Sequence, residues 1–228
     1  MIKIIKEILK VFEREHLFEE GVELIGRWCF QLYQTHLGVK TFPLRSQDID
    51  FLIPNPHKGK YHPNFVKNLE NLGFKIDFRS DGSFFLWNAD IKIEFLTPEK
   101  GKGTNKAINV KQLKVQAIPL RFVNLLLEEP ITVIEDNIKI LIPNPINFCF
   151  HKIIIASRRK DRAKRLKDLQ QAIYTSVILN PKTAQKNFEA LPRKWKLTIL
   201  RMLSTAQDEM PLLQKNITLF INTLQNEK

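Results

Sequence analysis

The chain has 228 residues, with 36 Lys and Arg against 24 Asp and Glu and a net charge of +12. Its 43% hydrophobic content and 16 phenylalanines exclude a disordered or low-complexity chain, and the length allows one domain with an appendage or two small ones. The 8 glycines form neither G-x-G-x-x-G nor G-x-x-x-x-G-K-[ST], the two cysteines read as buried reduced thiols, and the five histidines show no zinc-binding spacing.

In chain order, residues 2–18 alternate charged and apolar residues at helical spacing, unlike a signal peptide, and place Ile5, Ile8, Leu9 and Phe12 on one stripe closed by Gly21. Val22–Ile25 reads as a short strand ended by Gly26, with a helical stretch from Arg27 to about Leu37. Asp48–Ile53 is a strand stopped by Pro54, and residues 62–72 form a helix with Pro63 near its start and Gly73 past its end. Phe74–Arg79 and Phe84–Trp87 make a hairpin about Ser80-Asp81-Gly82, and Ile91–Leu96 is another strand. Residues 99–107 form a polar loop, and short strands continue through residues 115–120, 131–136 and 138–142.

From Ile146 onward apolar residues recur at three and four, with breaks near Asn180-Pro181, Pro192 and Pro211. The expectation is an α+β part over residues 1–145 and an all-helical part over residues 146–228. Phe51–Pro56 and Ile140–Pro145 echo one another as two similar strand exits, not as a repeat architecture. No apolar run reaches the roughly 18 residues that span a bilayer, so a cytoplasmic protein without a membrane partner is expected.

The sharpest chemical feature is Asp48-Ile49-Asp50 in an otherwise apolar strand. Side chains two apart in a strand share a face, so both carboxylates project together while Ile49 and Phe51 enter the other side. Adjacent like charges favour a divalent cation, and oxygen ligands of this kind suit Mg²⁺ bound with substrate phosphates. Upstream, the strand–Gly26–helix turn exposes N–H groups to an anion, with Arg27 adding charge. Downstream, Glu94 offers a third carboxylate on an alternating strand, with Lys92 as its other conceivable partner. Such a set is the toolkit of metal-assisted phosphoryl transfer.

Gly26, the run Ser46-Gln47-Asp48-Ile49-Asp50 and Glu94 occur in an order that resembles the nucleotidyltransferase fold of the DNA polymerase β-like superfamily. Pro145, Phe148, His151-Lys152, Arg158-Arg159 and Lys164 through Gln171 resemble the helix pair after the core in minimal bacterial nucleotidyltransferases, including those of abortive-infection systems. The resemblance spans roughly residues 20–175 and implies a mixed β-sheet with flanking helices, followed by a C-terminal helical bundle.

It also implies roles. Asp48 and Asp50 would hold two Mg²⁺ with the triphosphate, and Glu94 would bind the second ion and help deprotonate the attacking hydroxyl. Gly26, Arg27, Arg45, Ser46, Lys152 and Lys167 would contact the nucleotide, with Asp168 orienting a cation or reaching the nucleotide. Arg27-Trp28 stands where the superfamily commonly has a second small residue, and Glu94 stands in place of the commoner Asp. The implied reaction moves an NMP from an NTP to an acceptor hydroxyl. Residues 151–170 carry eight Lys and Arg against two Asp, half of the net charge, which favours RNA or tRNA as that acceptor over a protein or small molecule. The rival reading is a catalytically inactive nucleotide- or nucleic-acid-binding module, such as a toxin–antitoxin component. The sequence leaves the oligomeric state open.

Overall fold

In a computed structural model of the chain, residues 3–40, 47–101, 103 and 106–225 are described. Helix α1, Lys3–Arg14, buries Ile5, Ile8, Leu9, Val11 and Phe12 along one stripe. It ends before residue 18 because His16 takes a left-handed φ of 56°. The His16 N–H then donates to the Glu13 carbonyl and the Leu17 N–H to the Phe12 carbonyl, a Schellman closure with histidine at the position usually held by glycine.

The remaining elements of the first half are β1 (Glu23–Ile25), α2 (Gly26–His36), β2 (Asp48–Leu52), α3 (Phe65–Glu70), β3 (Lys75–Phe78), β4 (Phe84–Trp87), β5 (Lys92–Pro98), β6 (Ile108–Val110), β7 (Val115–Leu120), β8 (Ile131–Glu135) and β9 (Ile138–Ile142). Helix α3 is shorter than residues 62–72; His62 lies before it, its N–H donating to the Gln112 carbonyl and its ring meeting Glu15 and Glu20. Strand β6 falls just past the stretch read as a polar loop, and its three residues pair antiparallel with β7.

The chain divides into two compact units, Met1–Leu32 with Pro43–Pro143, and Tyr33–Phe42 with Asn144–Lys228. In the first, a mixed sheet runs in the order β1-β2-β5-β4-β3, with β7 also parallel to β5. Strands β2 and β5 are parallel neighbours, and β1 and β4 flank them antiparallel. One face of this sheet is aromatic. Phe51 stacks on Phe12 at 3.6 Å between ring centroids, while Phe95 meets Phe65 at 6.0 Å and Phe84 at 5.9 Å. Burying such rings stabilises by about 1.5–3 kcal/mol each and holds α1 and α3 against that face. A separate β8–β9 hairpin turns at Asp136 and Asn137, both at positive φ, and is tied to α1 by a 2.7 Å Lys6–Asp136 ion pair.

The second unit contains α4 (Pro145–Ala156), α5 (Arg162–Ser176), α6 (Pro181–Ala190), α7 (Arg193–Glu209) and α8 (Gln214–Gln225). Asn144, Asp161 and Asn180 cap α4, α5 and α6 through their side-chain oxygens, and Pro145 and Pro181 occupy early helical positions. Helix α4 is the centre of this bundle, buried along nearly its whole length and packed on α5 and α7. Phe150 meets Phe188 and Phe220, and Phe148 lies edge-on to Tyr33. Both cysteines are buried, and neither is in a disulfide. Among the described residues, no helix is long and apolar enough to cross a membrane.

Candidate active site

Strand alternation and register assemble the acidic face. Ile49 and Phe51 are fully buried on the aromatic side, while Asp48 and Asp50 alternate with them toward the other side. The parallel register sets Asp48 opposite Lys92 and Asp50 opposite Glu94, so the third acid shares the face of the first two.

Gly26 closes one side of this group. It opens α2 at a φ of +68°, next to Ile25, which pairs with Asp50. A Cβ at Gly26 would run into the Asp50 carboxylate, so both the backbone conformation and the close approach require glycine. Trp28 does not crowd this turn. Its side chain is buried, and its indole N–H donates to the Asp48 carbonyl at 3.0 Å, pinning the start of β2. The Arg27 guanidinium lies 4.8 Å from the Trp28 ring centroid, and its Nε is buried without a hydrogen-bond partner. Burial lowers the Arg27 pKa.

Two cations enter the same face. Lys92 Nζ lies 3.0 Å from Asp48 Oδ1 and 2.7 Å from Glu94 Oε1, and Arg79 also pairs with Glu94. Burial works against the Lys92 charge, but the hydrogen bonds to Glu94 and Asp48 outweigh it and hold its pKa above the ordinary lysine value. The Arg79 guanidinium sits 4.8 Å from the Phe85 ring centroid, and its Nη1 is buried without a partner.

This arrangement bears on the expected Mg²⁺. Asp48 and Asp50 supply hard oxygen donors on one face and fit a divalent cation shared with phosphates. A two-ion set completed by Glu94 does not fit as the side chains stand, because an ammonium lies between Asp48 and Glu94 and a guanidinium holds Glu94 from another side. Among the described residues, no group of three or more His, Cys, Asp or Glu is arranged to hold a metal ion.

Glu23 on β1 pairs with Leu52 and is 1% exposed. Its Oε2 has no hydrogen-bond partner, and burial pushes its pKa up to about 8. The carboxyl is therefore largely neutral at pH 7.

The second unit holds the remaining candidates. Asp168 accepts hydrogen bonds from Lys152 Nζ and Arg159 Nε, each at 2.9 Å, with Lys152 and Asp168 both buried. Burial opposes the Asp168 charge, but Lys152 and Arg159 outweigh it and hold its pKa below the ordinary carboxylate value. Lys167 is half-buried one position earlier on α5. Arg158, Arg159, Lys160, Arg162 and Lys164 are exposed around the α4–α5 connection. His151 is buried with neither ring nitrogen hydrogen-bonded, and burial lowers its pKa to about 3.

The structure thus brings together Gly26, Asp48, Asp50 and Glu94 in one unit, and Lys152 with Asp168 in the other. Arg27 lies beside Gly26, on Trp28. Arg45 and Ser46 lie outside the described residues. Lys92, read from the sequence only as a partner for Glu94, also reaches Asp48, and Arg79 joined the site without being singled out. Lys92 shares strand parity with Glu94, which was the available signal, whereas nothing local marks Arg79. His62 bridges Glu15 and Glu20 at 3.0 Å each, a structural tie between the loop before α3 and the end of α1.

A family model described as "Nucleotidyltransferase" matches residues 3–194. No curated protein sequence matches the chain. Among solved structures, an antigenic nucleotidyltransferase-like protein from Paracoccidioides brasiliensis aligns with a TM-score of 0.49 at 12% identity, covering 93% of each chain. The antibiotic-resistance factor ANT(2")-Ia, solved in complex with adenylyl-2"-tobramycin, aligns with a TM-score of 0.44 at 11% identity, covering 80% of this chain and 91% of that one.

Proposed function

Because the chain belongs to the nucleotidyltransferase family, we propose that it transfers an NMP from an NTP to an acceptor hydroxyl at the face of β2 that carries Asp48 and Asp50. The observation that carries this reading is the close packing of Gly26, at the start of α2, on the carboxylate of Asp50. It sets the N–H groups of a helix start beside paired acids, which is what a metal-bound triphosphate requires.

In this reaction the acceptor oxygen attacks the α-phosphorus, the bond to the β-phosphate bridging oxygen breaks, and pyrophosphate leaves. A bound Mg²⁺, held by Asp48 and Asp50, would supply neutralisation of phosphate charge and polarisation of the attacked group. The α2 N-terminus binds phosphate oxygens, with Arg27 alongside. The proton of the attacking hydroxyl passes to a base, for which this face offers the carboxylates of Asp48 and Asp50. Trp28 keeps β2 in place through the Asp48 carbonyl. The favoured acceptor is RNA, supported by the exposed cations of residues 158–164.

The test supplies α-labelled NTPs with Mg²⁺, cellular RNA, a protein extract and a small-molecule extract as separate acceptors, beside Asp48→Ala and Asp50→Ala. RNase-sensitive label that both variants lose supports RNA nucleotidyl transfer, and label in another fraction assigns a different acceptor. The engagement of Glu94 by Arg79 and Lys92 favours a second reading, a nucleotide-binding module without turnover. Saturable Mg-NTP binding with no transfer to any acceptor selects it.

A further inference from the structure

Any cluster of three carboxylates needs positive charge, and here the fold itself supplies some of it. Strand β5 lies inside the sheet, between β2 and β4, so its register fixes which residues face the acids. Lys92 is set directly opposite Asp48, two residues from Glu94, and its ammonium reaches both carboxylates at 3.0 and 2.7 Å. Phe85, set opposite Glu94 on β4, lies under both cations, with Arg79 at 4.8 Å and Lys92 at 5.8 Å from its ring centroid. Arg79 occupies another side of Glu94 and keeps an unpaired, buried Nη1 donor beside it.

The geometry points to a site with one divalent cation, in which the Lys92 ammonium takes the place of the second. This inference rests on the nucleotidyl-transfer reading and specifies its metal content. Glu94 is then a positioning residue, not a metal ligand. It holds Lys92 between the acids and ties Arg79 on its other side. A second divalent ion at Glu94 would have to displace an ammonium that two carboxylates hold, or sit within a few ångströms of it against direct repulsion. A lysine in this position also compensates charge before any nucleotide arrives, which a bound ion supplies only at sufficient concentration.

The experiment counts ions without asking for turnover. The full chain is saturated with Mn²⁺ and, in turn, each of the four α,β-methylene nucleoside triphosphates. Bound Mn²⁺ per bound nucleotide is measured by equilibrium dialysis, and electron paramagnetic resonance reads whether the bound ions are spin-coupled. Two ions about 3.5–4 Å apart couple magnetically, whereas a lone ion does not. One uncoupled Mn²⁺ per nucleotide is expected for the wild type and for Lys92→Arg, and a second, coupled Mn²⁺ for Lys92→Gln. Two coupled ions in the wild type overturn the role of Lys92 while leaving nucleotidyl transfer standing. A folded Lys92→Gln that still binds one ion overturns it equally. Absence of any Mn²⁺-nucleotide binding in the wild type removes this inference and the transfer reading together. The wild-type count decides alone if the glutamine variant does not fold.

Discussion

Replacing Glu23 by glutamine removes a carboxyl that folding buries without a compensating cation. Glu23 is 1% exposed on β1, and its pKa rises from the ordinary 4.5 to about 8 through burial alone. The folded state therefore holds the Glu23 proton more tightly than the unfolded state does. Its contribution to stability is complete below about pH 4.5, declines as pH rises, and is lost as pH passes through about 8. From 4.5 to pH 7 is 2.5 pH units at about 1.4 kcal/mol each, or roughly 3–3.5 kcal/mol lost by pH 7. Glutamine keeps the shape and does not titrate. Urea unfolding followed by circular dichroism should give nearly equal stabilities for wild type and Glu23→Gln at pH 4.5. The variant should gain progressively, reaching an advantage of up to roughly 3–3.5 kcal/mol at pH 7. Two curves separated by a constant offset at every pH would refute the reasoning, because they would mean that Glu23 has the same protonation in both states.

Gly26→Ala should cut nucleotide transfer by at least about tenfold and destabilise the fold by roughly 1–2 kcal/mol, since a Cβ meets the Asp50 carboxylate at a φ of +68°; steady-state rates and urea unfolding read the two effects. Lys152→Met strands the buried Asp168 carboxylate with Arg159 alone and should cost about 3–5 kcal/mol at pH 7. The depressed pKa of Asp168 means that this contribution is present above the ordinary 3.8 and fades as pH falls below it, so the difference between variant and wild type should narrow at pH 3. Trp28→Phe removes the 3.0 Å bond to the Asp48 carbonyl while keeping an aromatic core residue, and should cost about 1 kcal/mol in urea unfolding.

Much of the acidic face was legible because strand parity is a local property. Asp48-Ile49-Asp50-Phe51 separates polar from apolar at every step, and Ile49 and Phe51 are fully buried as that alternation requires. Phe84–Trp87 and the break at Asn180-Pro181 were legible for the same reason, since caps and turns are written within a few residues. The end of α1 was not. Its closure uses His16 at positive φ, and Gly21 was the more obvious stop, although its φ of +88° serves the following turn. What escaped entirely was long-range. Lys92 was legible as a partner for Glu94, but its contact with Asp48 emerges only once β5 is known to lie parallel to β2 in a register that sets the two opposite. Arg79 reaches Glu94 only through the β3–β4–β5 pairing, and Glu23 becomes a buried acid only through its place on β1 beside Leu52. Charge pairing across strands depends on which strands meet, and no spacing within one strand records that.

The central claim, that the Asp48–Asp50 face transfers a nucleotidyl group, is tested most directly by the initial rate of α-labelled NMP incorporation into RNA by Asp50→Asn against wild type. Asparagine keeps the shape packed against Gly26 and removes only the charge. Mg²⁺-dependent incorporation by the wild type, reduced by about 10²-fold or more in Asp50→Asn, is the predicted result. Equal rates in the two proteins, with both folded and both binding NTP, would contradict it.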